Sequence, residues 1–218
     1  MRRIIRDYSC QWNGLLHSRM LLNWMPALKN KNVLANKACF SYAKDLVLFI
    51  RNNFGNYFKI FVAGYPSGHS DILDRNIEIQ YLKDKVDAGA DYIITQTVFN
   101  ASEFVSYVKR CRKIGINVPI IPGIMPVQNA KLLLRLDNRC KFHFTEDVYN
   151  ALITYKDSEE YLIEFGIQKA KETILEIVKS GIEVQQVHFF TINSPEPTMQ
   201  VWEEVKEAYS KFRVDQSQ

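Results

Sequence analysis

The chain has 218 residues, 47% of them hydrophobic, enough for one full-sized domain or two small ones around a sizeable core. Its four cysteines (Cys10, Cys39, Cys111, Cys140) are widely spaced with no C-x-x-C pair, which excludes a disulfide framework or cysteine zinc site and fits a reducing compartment. The net charge of +4 is lopsided: residues 1–38 hold seven basic residues against Asp7 alone, while residues 39–218 are slightly acidic, without the basic, aromatic-laced stripe of a nucleic-acid partner.

In chain order, the basic segment 1–38 comes first. Its longest apolar run, MLLNWMPAL at 20–28, is broken by Asn23 and Pro26 and is too short to span a bilayer. The segment is Arg-rich and acid-poor. It is read either as a mitochondrial transit peptide or as replacement sequence whose Trp12, Trp24 and apolar run cover a sheet edge.

FSYAKDLVLFIRNNFG (40–55) carries apolar residues at helical spacing up to Gly55. YFKIFVAGY (57–65) reads as a strand. RNIEIQYLKDKVDAG (75–89) predicts a helix with Asp74 as N-cap and Gly89 as its stop. DYIITQ (91–96) is a second strand. NASEFVSYVKRCRKIG (100–115) is a helix with an Asn100/Glu103 start resembling a capping box and an apolar stripe of Phe104, Val108 and Cys111.

VPIIPGIMP (118–126) is a third strand, followed by a helix over 126–136 and a short one over 145–154. Ile163, Ile167, Ala170, Ile174, Ile177 and Val178 define a long amphipathic helix ending at Gly181. VQQVHFFT (184–191) is a fourth strand, and PTMQVWEEVKEAYSKF (197–212) a final helix with Pro at its start. The acidic run 156–164 suits the N-terminal end of the long helix.

Four strands, each followed by a helix, imply an α/β fold with parallel pairing. A doubly wound sheet and a (β/α) barrel share this pattern, and no G-x-G-x-x-G opens any helix to favour a dinucleotide fold. In a barrel the chemistry gathers at the strands' carboxyl ends. Here those ends carry Tyr65, Pro66 and His69; then Thr95 and Gln96; then Pro122 and Gly123; then Thr191 and Asn193. His188 reads as a core histidine, and His17 and His143 have no cysteine or carboxylate at ligand spacing, so no metal site is expected.

Four stretches, FVAGYPSGHSD (61–71), LKDKVDAGADYIITQTVF (82–99), VPIIPGIMPVQ (118–128) and HFFTIN (188–193), resemble the methylenetetrahydrofolate reductase family in order and spacing. The likeness runs from about Cys39 to Tyr209 and divides the chain into a basic segment 1–38, a partial catalytic barrel 39–212 and a tail 213–218. It implies a partial (β/α)8 TIM barrel of about four βα units with parallel strands. By the same resemblance the activity is reduction of 5,10-methylenetetrahydrofolate to 5-methyltetrahydrofolate, with FAD as cofactor and NAD(P)H as hydride donor, in the cytoplasm.

Carried over by motif, Tyr65, His69, Glu78 and Lys85 are cofactor-binding, and Gln96 and Phe190 bind the folate substrate. Glu78 stands where the family usually has Asp, and Phe190 where it commonly has Tyr. Lys85 is suited to the charged part of the cofactor as a point charge. Gln96 is suited to the pterin because an amide donates and accepts at once.

Other family features are not found in these residues. The Glu-Phe-Phe-Pro-Pro stretch that supplies the general acid is one, and the Leu-Arg-Gly-Asp motif another. Leu-Asn-Arg at the last strand is replaced by Ile192, Asn193 and Ser194. The expectation is therefore the second half of a catalytic barrel, with no catalytic residue assigned. An alternative is a non-catalytic half-barrel that associates with itself or pairs with a full-length reductase.

Overall fold

The computed structural model describes residues 4–6, 40, 42–69, 72, 74–140, 142–184, 186–191 and 194–215. The expectations attached to Cys10, Trp12, His17, Trp24, Cys39, Ile192 and Asn193 lie outside these residues, as does targeting by residues 1–38 except for one short strand. The described strands are β1 (Ile4–Arg6), β2 (Lys59–Gly64), β3 (Tyr92–Thr97), β4 (Ile120–Ile124) and β5 (His188–Phe189). They form one sheet in the order β1-β2-β3-β4-β5, every pair parallel. Four βα units build it, and the fold is a partial (β/α) barrel.

The helices are α1 (Ala43–Phe54), α2 (Arg75–Asp87), α3 (Ala101–Lys113), α4 (Ala130–Cys140), α5 (Glu146–Thr154), α6 (Glu159–Lys179) and α7 (Glu196–Asp215). Side-chain caps set the starts of α2 and α3. Asp74 Oδ1 accepts the Asn76 N–H at 2.8 Å to open α2, and Asn100 Oδ1 accepts those of Ser102 and Glu103 to open α3.

Alternation along the strands sorts the two sheet faces. Ile60 and Val62 of β2, Ile93 of β3 and Ile120 and Ile124 of β4 turn toward the helices. There they form the main core with Val47, Ile50, Leu82, Phe104, Val108, Ile174 and Val201. A second cluster, with Met125, Val127, Leu133, Val148, Leu152 and Leu162, fills the space around α4, α5 and α6. Phe61 and Tyr92 lie on the opposite, inner face, stacked with centroids 4.6 Å apart, and both are half-buried.

At the amino ends of the strands a polar clamp sets the position of α1. Arg51 donates to the carbonyls of Gly89 (2.8 and 2.6 Å) and Phe58 (2.9 Å) and pairs with Asp91 at 2.5 Å. Asp91 also accepts the Ile60 N–H at 2.7 Å and Lys59 Nζ at 3.0 Å. Burial alone would raise the Asp91 pKa, but those donors outweigh it and hold the carboxyl below its ordinary value.

Four expectations are corrected. The sheet has a fifth strand, β1, on the β2 edge, where residues 1–38 were given no element. α4 begins at Ala130, not 126, because Asn129 Oδ1 takes the Leu132 N–H at 2.8 Å and caps the start of the helix. β5 pairs over two residues instead of eight, since only Gly123 and Ile124 of β4 lie opposite it. The α3 start is Asn100 alone, because the Glu103 carboxylate is bonded to Ser67.

Candidate functional site

The carboxyl end of β2 runs into a tight turn in which Gly68 N–H bonds back to the Tyr65 carbonyl at 3.0 Å. The turn brings the Tyr65 and His69 rings edge to face, with centroids 4.7 Å apart at 79°. Pro66 is buried and Tyr65 and His69 half-buried, so a rigid apolar floor carries two rings with polar tips.

Glu78, one turn into α2, lies behind this turn and is only 7% exposed. Its Oε2 stands 3.4 Å from Arg75 Nη1, and the His69 backbone N–H bonds to the same carboxylate. Its Oε1 is buried and meets no donor. Burial raises the Glu78 pKa, against the lowering effects of the His69 N–H, Arg75, the His69 ring and Arg110. Arg75 was not singled out from the sequence. Its guanidinium lies in the space beside Gly68, whose φ of +91° is what favours glycine there. The Arg75/Glu78 spacing of three was the available signal.

Lys85, in the last turn of α2, donates from Nζ to the Ala63 carbonyl at 2.7 Å, two residues before Tyr65. Its ammonium is thus fixed on the β2 wall beneath the ring pair.

Gln96 sits beside this turn by register, because Gly64 pairs with Thr95. Ile94 pairs with Ile121 and Thr97 with Gly123, so three steps on β3 match two on β4, a bulge that includes Gln96. Thr95, 1% exposed, stabilises the irregularity: Oγ1 accepts the Gly123 N–H at 3.0 Å and donates to the Gln96 carbonyl at 2.8 Å. The sequence placed Thr95 at a strand end but could not reveal this exchange. Phe190 follows β5, donating its N–H to the Ile124 carbonyl at 2.8 Å. Its ring lies where a Gly123 side chain would stand, and 4.7 Å from that of His188. His188 is half-buried against Phe190 instead of being enclosed in the core.

Beyond Phe190, buried Gln128 donates to the Thr191 carbonyl at 2.7 Å and fixes the last strand end to the loop after β4. Tyr65, His69 and Glu78 are therefore directly linked. Gln96 neighbours them, Lys85 lies below, and Phe190 stands across β4. Among the described residues no group of three or more His, Cys, Asp or Glu side chains could hold a metal ion. No described helix is long and apolar enough to cross a membrane.

Comparison with known proteins identifies the family. The sequence profile for methylenetetrahydrofolate reductase matches residues 25–206. Methylenetetrahydrofolate reductase (NADH) 1 of Arabidopsis thaliana is 41% identical over 163 residues, covering 71% of this chain and 27% of the relative. Methylenetetrahydrofolate reductase 2 of Saccharomyces cerevisiae is 32% identical over 183 residues, covering 83% and 29%. The 5,10-methylenetetrahydrofolate reductase of Escherichia coli is 31% identical over 197 residues, covering 90% of this chain and 62% of the bacterial protein.

An uncharacterised Clostridium thermocellum protein, whose structure binds two copies of 5-methyl-5,6,7,8-tetrahydrofolic acid, shares the fold. Its TM-score is 0.53 at 18% identity, over 73% of this chain and 56% of that one. The profile spans most of the chain, and the chain belongs to the methylenetetrahydrofolate reductase family.

Proposed function

We propose that this chain supplies the flavin- and folate-facing half of a methylenetetrahydrofolate reductase, working on 5,10-methylenetetrahydrofolate with FAD and NAD(P)H. The observation that carries the reading is the Glu78 carboxylate. A buried carboxylate oxygen with no donor is costly, and a ligand hydroxyl beside the Tyr65–His69 turn would relieve that cost. The surrounding residues fit FAD: an aromatic pair, a buried acceptor and two cations, Arg75 and Lys85, for an anionic group.

FAD, when bound, supplies hydride acceptance and hydride donation. The chain's residues do the rest. Tyr65 and His69 offer a wall for an aromatic ring system. Glu78 accepts from sugar hydroxyls, and Lys85 offsets negative charge. Gln96, re-aimed by the bulge, offers both halves of an amide to a pterin edge, and Phe190 offers an apolar face. Proton delivery to the folate is assigned to no residue of these 218. That step is worth orders of magnitude in rate.

The test is anaerobic mixing of the FAD-loaded chain with NADPH or NADH, followed by 5,10-methylenetetrahydrofolate. The reading expects the visible flavin band to bleach with the nicotinamide and return with the folate. A flavin band unaffected by either nicotinamide contradicts it.

A second reading has support of its own. Phe61 and Tyr92 on the inner face, with Ile94, remain half-buried, and the sheet is open among the described residues. A closed barrel covers such a face with its remaining strands. On this reading the chain is a non-catalytic half-barrel that completes itself against a second copy or a full-length reductase. Flavin binding without turnover, restored when a full-length reductase is added, would favour it.

A further inference from the structure

The turn that carries Tyr65 and His69 rests on one face of α3. Glu103, Tyr107 and Cys111 recur at four-residue spacing and therefore share a face. Ser67 Oγ, inside the turn, donates to Glu103 Oε2 at 2.7 Å. The Tyr107 hydroxyl stands against the end of β2, 2.5 Å from where a Gly64 Cβ would lie, facing the backbone N–H of Tyr65 and neighbouring the Cys111 thiol. Tyr107 is 2% exposed and Cys111 fully buried, so no solvent reaches this contact.

Space for the hydroxyl is made by the neighbouring strand residue. A Cβ on Gly64 would lie 2.5 Å from Tyr107 Oη and 2.8 Å from Ile93 Cγ2. A phenylalanine at 107 would fill the core equally well, so packing alone does not account for the hydroxyl. It stands where the chain leaves the sheet, facing the first amide past β2.

We infer that Tyr107 and Glu103 are positioning residues of the candidate flavin site, holding the 65–69 turn from beneath and so setting the orientation of the Tyr65 and His69 rings. The inference rests on the flavin reading given above for its consequence, though not for its geometry. Two separate ties, one to backbone and one to a side chain, reach the same turn from the same helix face. Glu103 and Tyr107 touch no cofactor and act through Ser67 and Tyr65.

Tyr107→Phe in the full chain removes only the hydroxyl. Hydrogen exchange at the Tyr65 amide is expected to rise about fivefold relative to β3 and β4 amides, the equivalent of one ordinary hydrogen bond. FAD affinity is expected to fall by about the same factor, if the turn's geometry sets it. Glu103→Ala is expected to weaken FAD similarly, and Glu103→Gln, which keeps an acceptor for Ser67, to recover the loss. Should Tyr107→Phe fail to fold, the Glu103 pair decides alone.

Wild-type exchange at the 65–69 amides in both Tyr107→Phe and Glu103→Ala would overturn the inference, whatever happens to thermal stability. Altered exchange with unchanged FAD affinity would also overturn it, leaving a purely structural tie. A wild-type chain that takes up no flavin would sink the functional reading instead. The exchange measurement would then still decide whether α3 holds the turn.

Discussion

Replacing Gly166 with alanine tests how the site's far wall is built. Gly166 lies inside α6, where helix propensity favours alanine by about 1 kcal/mol. The structure requires the opposite sign. A Cβ there would collide with the Val127 carbonyl oxygen and stand 2.5 Å from its nitrogen and 2.7 Å from its carbonyl carbon. These are backbone atoms of a residue 1% exposed, so no flexible side chain can swing aside. Overpacking of this kind costs about 1–3 kcal/mol.

Relief by moving the loop would pull Gln128 away from the Thr191 carbonyl, a further loss of about 1 kcal/mol. The net expectation is a destabilisation of about 2 kcal/mol, or a fall of roughly 4–8 °C in Tm for a chain of this size. Circular dichroism during thermal and urea unfolding measures it. A Gly166→Ala variant as stable as the parent, or more so, would refute the close approach of α6 to the loop after β4.

Two other predictions concern charge. Asp91→Ala should cost about 2–3 kcal/mol at neutral pH, because it strands the Ile60 N–H and removes a partner from Arg51 and Lys59. Since the Asp91 pKa is lowered on folding, its contribution is present above the ordinary aspartate range and is lost as pH falls through the depressed value. The gap between parent and variant should therefore close in acid, and a gap that widens in acid contradicts the clamp.

Glu78 has the opposite sign. Its raised pKa means that stability is fully present below the ordinary glutamate range and is lost as pH rises through the folded value. Glu78→Gln should accordingly gain on the parent across that interval, followed by unfolding at a series of pH values. A stability difference independent of pH would show that the carboxylate is not buried as described.

Much of this fold was legible because its signals are local. The α2 start was readable from Asp74 and the α3 start from Asn100, since short polar side chains meet backbone donors two or three residues on. The α6 stripe from Ile163 to Val178 follows from period alone. The α4 start was misplaced because Pro126 competes with Asn129 as a start signal, and only the three-dimensional course of the loop decides between them. The length of β5 depends on how many β4 residues lie opposite it, which no property of residues 184–191 encodes.

The candidate site divides along the same line. Tyr65, His69 and Gln96 were singled out by their motif and strand-end positions. Their supports were not, because each is a contact across 28 to 42 residues: Tyr107 to Tyr65, Glu103 to Ser67, Thr95 to Gly123. Tyr107 also falls outside the apolar stripe of Phe104, Val108 and Cys111, and Glu103 had a competing local explanation as a cap partner. Lys85 was assigned to a cofactor from its motif, and its bond to the Ala63 carbonyl adds a local anchor that the motif does not encode.

The measurement that bears most directly on the account is a titration of the purified chain with FAD, read as visible absorbance across a sizing column. The account predicts a flavin band travelling with a folded peak, weakened when Lys85 is changed to alanine and when Tyr65 is changed to alanine. A folded peak that carries no flavin at saturating FAD would contradict it. Tyr65, His69, Glu78 and Lys85 would then keep their places at the end of β2 and along α2 without forming a flavin site.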